Sequence, residues 1–96
     1  METNEWKIAG EVFSINELNG EFGASLKIRG TARRPGFYSS SVIEMLCLVL
    51  PGVYAEAQKR GLKRYIDVLA SGHMESWNTS RQHKVYFICD RIEILK

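Results

Sequence analysis

Val42-Ile43-Glu44-Met45-Leu46-Cys47-Leu48-Val49-Leu50 carries one charge, Glu44, and is otherwise apolar. It is far shorter than the roughly 20 apolar residues that a membrane-spanning helix needs. Pro51-Gly52 ends it at once. A short apolar run bounded by turn residues reads as a buried strand with both faces at least partly covered. Side chains alternate along a strand, so Ile43, Met45, Cys47 and Val49 cannot share an inward face with Leu46, Leu48 and Leu50. One of the two sets must be covered by something other than the chain's own core.

Upstream lies Thr31 to Ser41, a polar loop with Pro35-Gly36 as a type II turn. It holds Arg33, Arg34, Phe37 and Tyr38, two cations beside two aromatics. Before it, Phe22 to Gly30 alternates cleanly, with Ala24, Leu26 and Ile28 inward and Ser25, Lys27 and Arg29 outward. Asn19-Gly20 is a strong hairpin signal. The strand before that hairpin, Glu5 to Ile15, sets Trp6, Ile8, Gly10 and Val12 on one side. Its phase then slips to Phe13 and Ile15, which predicts a bulge or bend. Gly10 in mid-strand predicts sharp curvature or close approach of another backbone.

Downstream, Val53 to Leu62 reads as a short helix closed at Gly61. Tyr65 to Trp77 is a fourth strand bent at Ser71-Gly72. Asn78 to His83 is a polar loop holding Arg81, and Lys84 to Leu95 is a fifth strand. The order is β-β-β-α-β-β. It predicts an all-β chain: a five-stranded OB-fold Greek-key barrel with one short helix between strands 3 and 4. A bulged first strand suits a closed barrel, where that strand pairs on both sides. Ninety-six residues are enough for one such domain, spanning 1–96.

Composition is that of an ordinary globular chain, 45% hydrophobic and 25% charged. Cys47 and Cys89 both lie in apolar runs and read as buried thiols in a reducing compartment. No secretory leader is visible in the polar, acidic start, so a cytoplasmic location is expected. The net charge of +2 is unevenly spread. Residues 1–30 hold three basic and five acidic side chains, whereas residues 31–64 hold six basic and two acidic. No carboxylate lies between Glu21 and Glu44, while Lys27, Arg29, Arg33 and Arg34 all do. Clustered cations without local counter-charge point to an anionic partner or to a solvated surface. Lys59, Arg60, Lys63 and Arg64 flank the helix and read as solvated.

Several motifs resemble the bacterial single-stranded DNA-binding protein family. Ile8-Ala9-Gly10-Glu11-Val12 is similar to that family's opening strand, and Ser25-Leu26-Lys27-Ile28 to its second. Leu46-Cys47-Leu48-Val49 and the following helix resemble its third strand and helix. Val68 to Trp77, with Gly72 inside, resembles a strand that ends in a DNA-stacking tryptophan. Ile88-Cys89-Asp90-Arg91-Ile92-Glu93-Ile94-Leu95 resembles the closing strand. Ile43 and Val49 stand where the family carries a tryptophan and a phenylalanine, and Phe37 or Tyr38 takes the place of its loop aromatic. The sequence closes at Lys96 without an acidic tail, so tail-mediated recruitment is not expected. A tail-less relative, primosomal replication protein B, is the alternative resemblance.

The resemblance implies non-specific binding of single-stranded DNA or RNA, a homodimer or homotetramer, and work alongside replication proteins. It implies no enzyme activity, no cofactor, no metal and no membrane. Such binding needs cations for the phosphates and aromatic faces for the bases. The phosphate candidates are Lys27, Arg29, Arg33, Arg34, Arg81 and Lys84. The stacking candidates are Phe37, Tyr38, Trp77 and, after them, Tyr86. Trp77 sits at a loop mouth, where it stacks on bases or belongs to the core. Trp6 reads as core or subunit interface. The extra apolar face of the Val42 to Leu50 strand is covered by a partner subunit or by bases. The competing reading is a protein-interaction OB domain, with the aromatics at an interface and the cations serving solubility. Nothing assembles an active site: His73 and His83 lack metal-ligand spacing, and Ser39-Ser40-Ser41 lacks a base.

Overall fold

A computed structural model describes residues 4–33, 40–78 and 83–95. Five strands and one helix follow in the expected order: β1 (Trp6–Glu17), β2 (Ala24–Arg33), β3 (Ser40–Val49), α1 (Pro51–Lys59), β4 (Asp67–Asn78) and β5 (His83–Ile94). The strands close into a barrel in the order β1-β2-β3-β5-β4, with β4 returning to β1.

The core follows from the alternation. Ala24, Leu26 and Ile28 of β2 are fully buried, while Lys27 and Arg29 are exposed. Cys47 and Val49 of β3 are buried, as are Val68 and Ala70 of β4 and Ile88, Cys89 and Ile92 of β5. The Cys47 and Cys89 thiols are hydrogen-bonded inside this core, and that contact together with burial pushes the Cys47 thiol far above its ordinary range. The Cys47 thiol stays neutral, whereas the same contact lowers the pKa of Cys89.

The slip in β1 is real and has a topological job. Its first half pairs with β4, from Trp6↔Gly72 to Glu11↔Asp67. Its second half pairs with β2, from Glu11↔Arg29 to Glu17↔Ala24, and the register shifts between Val12 and Ser14. The bulge therefore sits where the strand changes partners. Ile15 packs against the core as expected, but Phe13 does not follow it inward. Phe13 is the bulged residue, and its ring lies under the Arg29 guanidinium, 4.1 Å from carbon to centroid. Gly10 is closely approached, as expected: a Cβ there would stand 2.3 Å from the Arg29 carbonyl oxygen.

Several boundaries differ from the sequence reading. β2 runs on to Arg33 and β3 begins at Ser40, so the expected loop of Thr31 to Ser41 is strand at both ends; β4 begins at Asp67 and β5 at His83. Asn19-Gly20 lies in a wider loop, not a two-residue turn, because Gly23 is tied on both sides. Its carbonyl accepts the Leu18 N–H at 3.0 Å, and its own N–H donates to Val49 O at 2.9 Å. The helix starts at Pro51, not Val53, since proline suits a first helical turn whose N–H groups lack partners. It ends at Lys59, and Gly61 follows with φ of 104°. Tyr54 and Ala57 of α1 plug the barrel's end. The Tyr54 hydroxyl donates to Glu17 Oε1 at 2.9 Å.

β4 and β5 pair along their length with one irregularity. Ser71 opposes Arg91 and Gly72 opposes Cys89, which leaves Asp90 as an extra residue. β3 and β5 meet in only two parallel pairs, Leu48↔Ile88 and Val49↔Cys89. Beyond that joint, the start of β5 stays with β4 and the first part of β3 stays with β2. A groove of about 520 Å³ runs between them, lined by Ile43, Met45, Leu46, Leu48, Val85 and Tyr86 among others.

Candidate nucleic-acid interface

The outer face begins with β2. Lys27 and Arg29 point outward, opposite Leu46 and Glu44 of β3. Glu44 answers both cations, Oε1 at 3.5 Å from Lys27 Nζ and Oε2 at 3.6 Å from Arg29 Nη2. The segment that looked free of acids is thus partly neutralised across the strand. A linear scan misses this, because the carboxylate comes from fifteen positions downstream of Arg29 in sequence but from the adjacent strand in space. The ion pairs are exposed, so they weakly oppose an incoming phosphate.

Leu46 is 55% exposed, and its neighbours Val42 and Ile43 are also out of the core. Alternation holds only in the second half of β3, where Cys47 and Val49 go in and Leu46 goes out; Ile43, in phase with Cys47, is exposed like Val42, so neither face is covered there. Across the groove stands an aromatic cluster. Trp77 is 37% exposed, which removes it from the core. Its ring lies 4.3 Å from that of Tyr86 and 5.8 Å from that of Phe22, the latter pair stacked. Lys84 opposes Trp77 in the ladder and is exposed. Phe22 comes from the loop before β2 and was not singled out from sequence. Its neighbour across the fold, not its local pattern, gives it this place.

Trp6 stays out of this cluster. It packs edge-on against Phe87 and donates its indole N–H to the His73 carbonyl at 2.9 Å. His73 itself lies between two carboxylates, Nδ1 at 2.8 Å from Asp90 Oδ2 and Nε2 at 2.6 Å from Glu75 Oε2. Hydrogen bonds to Asp90 and then Glu75 raise the His73 pKa. The same contact with His73, and then one with Trp77, lowers that of Glu75. Among the described residues, no group of three or more His, Cys, Asp or Glu side chains could hold a metal ion.

A second patch emerges on the far side of the Phe13 bulge. Tyr65 is 61% exposed and has a positive φ of 69°, unusual for a bulky side chain. Its N–H donates to Val12 O at 2.7 Å. The Arg64 guanidinium lies 4.8 Å from the Tyr65 ring centroid, and Arg64 Nε donates to Phe13 O at 3.3 Å. Arg64 is exposed, as the solvated reading expects, and it is also held by the Tyr65 side chain and the Phe13 carbonyl. The pairing of Arg64 with Tyr65 is adjacent in sequence, but only the bulge brings Phe13 to it.

Of the other predicted residues, Arg33 closes β2 opposite Ser40. Arg34, Phe37, Tyr38 and Arg81 lie outside the described residues.

No protein-family model matches the chain. No curated protein matches it in sequence. Solved structures do match in shape. The mitochondrial single-stranded DNA-binding protein of S. cerevisiae superposes with a TM-score of 0.73 at 14% identity, covering 99% of this chain and 97% of that one. A Plasmodium falciparum SSB in complex with ssDNA gives 0.65 at 17% identity, covering 100% and 97%. The N-terminal domain of PriB from Thermoanaerobacter tencongensis, a dimeric structure, gives 0.67 at 15% identity and 99% coverage of both chains. The barrel is an OB-fold. At these identities the likeness is one of fold. Among the described residues, no helix is long and apolar enough to cross a membrane.

Proposed function

We propose that this OB-fold binds single-stranded DNA largely without sequence preference, in replication, recombination or repair. The observation that carries the reading is the aromatic cluster of Phe22, Trp77 and Tyr86 beside a groove whose other wall reaches the basic β2. Leu46 lines that groove and pairs with Lys27, so apolar and cationic surfaces meet within one residue pair. Bases stack on the aromatic faces and pack on Leu46, while Lys27, Arg29 and Lys84 take phosphates. Every base has a π-face, so such a site tolerates all sequences. Arg33, Arg34, Phe37, Tyr38 and Arg81 extend the same site in this reading, and Arg64 with Tyr65 continues it past the bulge. The two structural neighbours described as single-stranded DNA-binding proteins support it.

The chain is also proposed to act as a homodimer or homotetramer. Val42, Ile43 and Val85 are exposed aliphatic residues that bases alone do not need. A cover by a second copy fits them, and PriB is described as dimeric.

The test is a titration of fluorescent oligo-dT at several salt concentrations. Affinity should fall with salt, with a log-log slope of about −0.7 for each phosphate neutralised. Equal affinity at low and moderate salt would remove the electrostatic part of the proposal, and no binding at low salt would remove all of it.

A further inference from the structure

Trp77 is held by more than its ring contacts. Its indole N–H donates to Glu75 Oε1 at 3.3 Å, and the other oxygen of Glu75 meets His73 Nε2 at 2.6 Å. His73 Nδ1 continues the line to Asp90 Oδ2 at 2.8 Å. We propose that His73 is a positioning residue for Trp77: as an imidazolium bridging Asp90 and Glu75, it fixes the carboxylate that receives the indole N–H and so sets the stacking face. The consequence for DNA rests on the single-strand reading above; the orientation of the indole does not.

The protonation state follows from the partners. Ionised carboxylates only accept hydrogen bonds, so both ring nitrogens must donate. A neutral imidazole has one N–H and one lone pair, and one of the two contacts then becomes repulsive. Asp90 can reach His73 because it is the extra residue of β5, re-aimed by the irregularity opposite Ser71 and Gly72. The backbone beneath is clamped by the N-terminal segment. Trp6 donates to the His73 carbonyl, and the Asn4 side chain brackets Met74, donating to its carbonyl at 2.8 Å and accepting its N–H at 2.9 Å. Loss of the proton therefore moves side chains and leaves the strand in place. The remaining charged groups facing this spot are Glu5 and Lys7 of the N-terminal segment and β1, which border the same depression with opposite sign.

The direction of the pH effect is fixed. The His73 pKa is raised by Asp90 and then by Glu75, so the bridge persists to higher pH than an ordinary histidine would allow. As pH rises through that raised value, one of the two contacts is lost, and the bridge that fixes the indole's acceptor opens.

Two readouts test this. The first is the Trp77 indole N–H resonance in the DNA-free protein across pH, assigned against Trp6 with Trp77→Phe. The second is oligo-dT affinity over the same range at constant ionic strength. The resonance should shift, and affinity should fall about five-fold, the size of one net hydrogen bond, with the same midpoint above the ordinary histidine value. His73→Asn should abolish both transitions. Glu75→Gln, which keeps an acceptor but not the charge, should move the midpoint down. An indole resonance that ignores pH, or a wild-type pH profile that persists in His73→Asn, overturns the proposal. Indole titration without oligonucleotide binding at any pH upholds the positioning role and overturns the single-strand reading.

Discussion

Trp77 owes its place to one edge and one face: the edge bonds Glu75 and the face meets Tyr86. A half-exposed tryptophan of this kind separates affinity from stability. Trp77→Ala should weaken oligo-dT binding by roughly 1–3 kcal/mol. Its cost to folding should be about 1 kcal/mol for the lost aromatic contacts, well short of the 3–5 kcal/mol of a core aromatic. A binding titration and a melting curve on the one variant give both numbers. Gly72 behaves oppositely. A Cβ there would lie 1.7 Å from the Ile88 carbonyl oxygen, so Gly72→Ala must part β4 from β5. The expected loss is roughly 3 kcal/mol or more, read as a fall in Tm. His73 adds a pH-dependent share of stability. Its folded pKa is raised above its unfolded value, so that share is complete below the unfolded value and disappears as pH rises through the folded one. Melting temperatures of wild type and His73→Asn should differ most near pH 6 and converge in alkali.

Among the elements, β2 was the most legible. Its strict alternation named Leu26 and Ile28 as core and Lys27 and Arg29 as surface, because one face is buried and the other is not. The β1 bulge was legible from the slip in phase after Val12. What the sequence could not show was pairing across strands. Glu44 sits between Lys27 and Arg29 only because β3 lies beside β2 in that register. Phe22 joins Trp77 only because the loop before β2 reaches the end of β4. Cross-strand neighbours depend on register, and register is a property of two segments together. Glu44→Gln follows from this. It frees both cations for phosphate, so oligo-dT should bind more tightly, with a log-log salt slope steeper by up to about 0.7. Stability should change by less than about 1 kcal/mol, since exposed ion pairs contribute little. Unchanged affinity and slope in that variant would place the DNA path away from β2.

For the molecule as a whole, the exposed aliphatic residues Val42, Ile43 and Val85 should be covered by a second copy. Light scattering should then give a multiple of the 11.0 kDa chain mass at micromolar concentration. A protein that stays monomeric there, with and without oligonucleotide, would assign the groove to bases alone. The barrel also has one thin joint, the two parallel pairs that tie β3 to β5. Its partners lie about forty residues apart in the chain, so loop-closure entropy makes this a late contact in folding. By the same measure it is the first to breathe. Amide hydrogen exchange at Leu48, Val49, Ile88 and Cys89 should run ahead of exchange in the middle of β2. The groove borders this joint and has a wall on each strand, so any occupant acts as a splint. Exchange at those four amides should slow when oligo-dT is bound, reporting the ligand from inside the ring it closes.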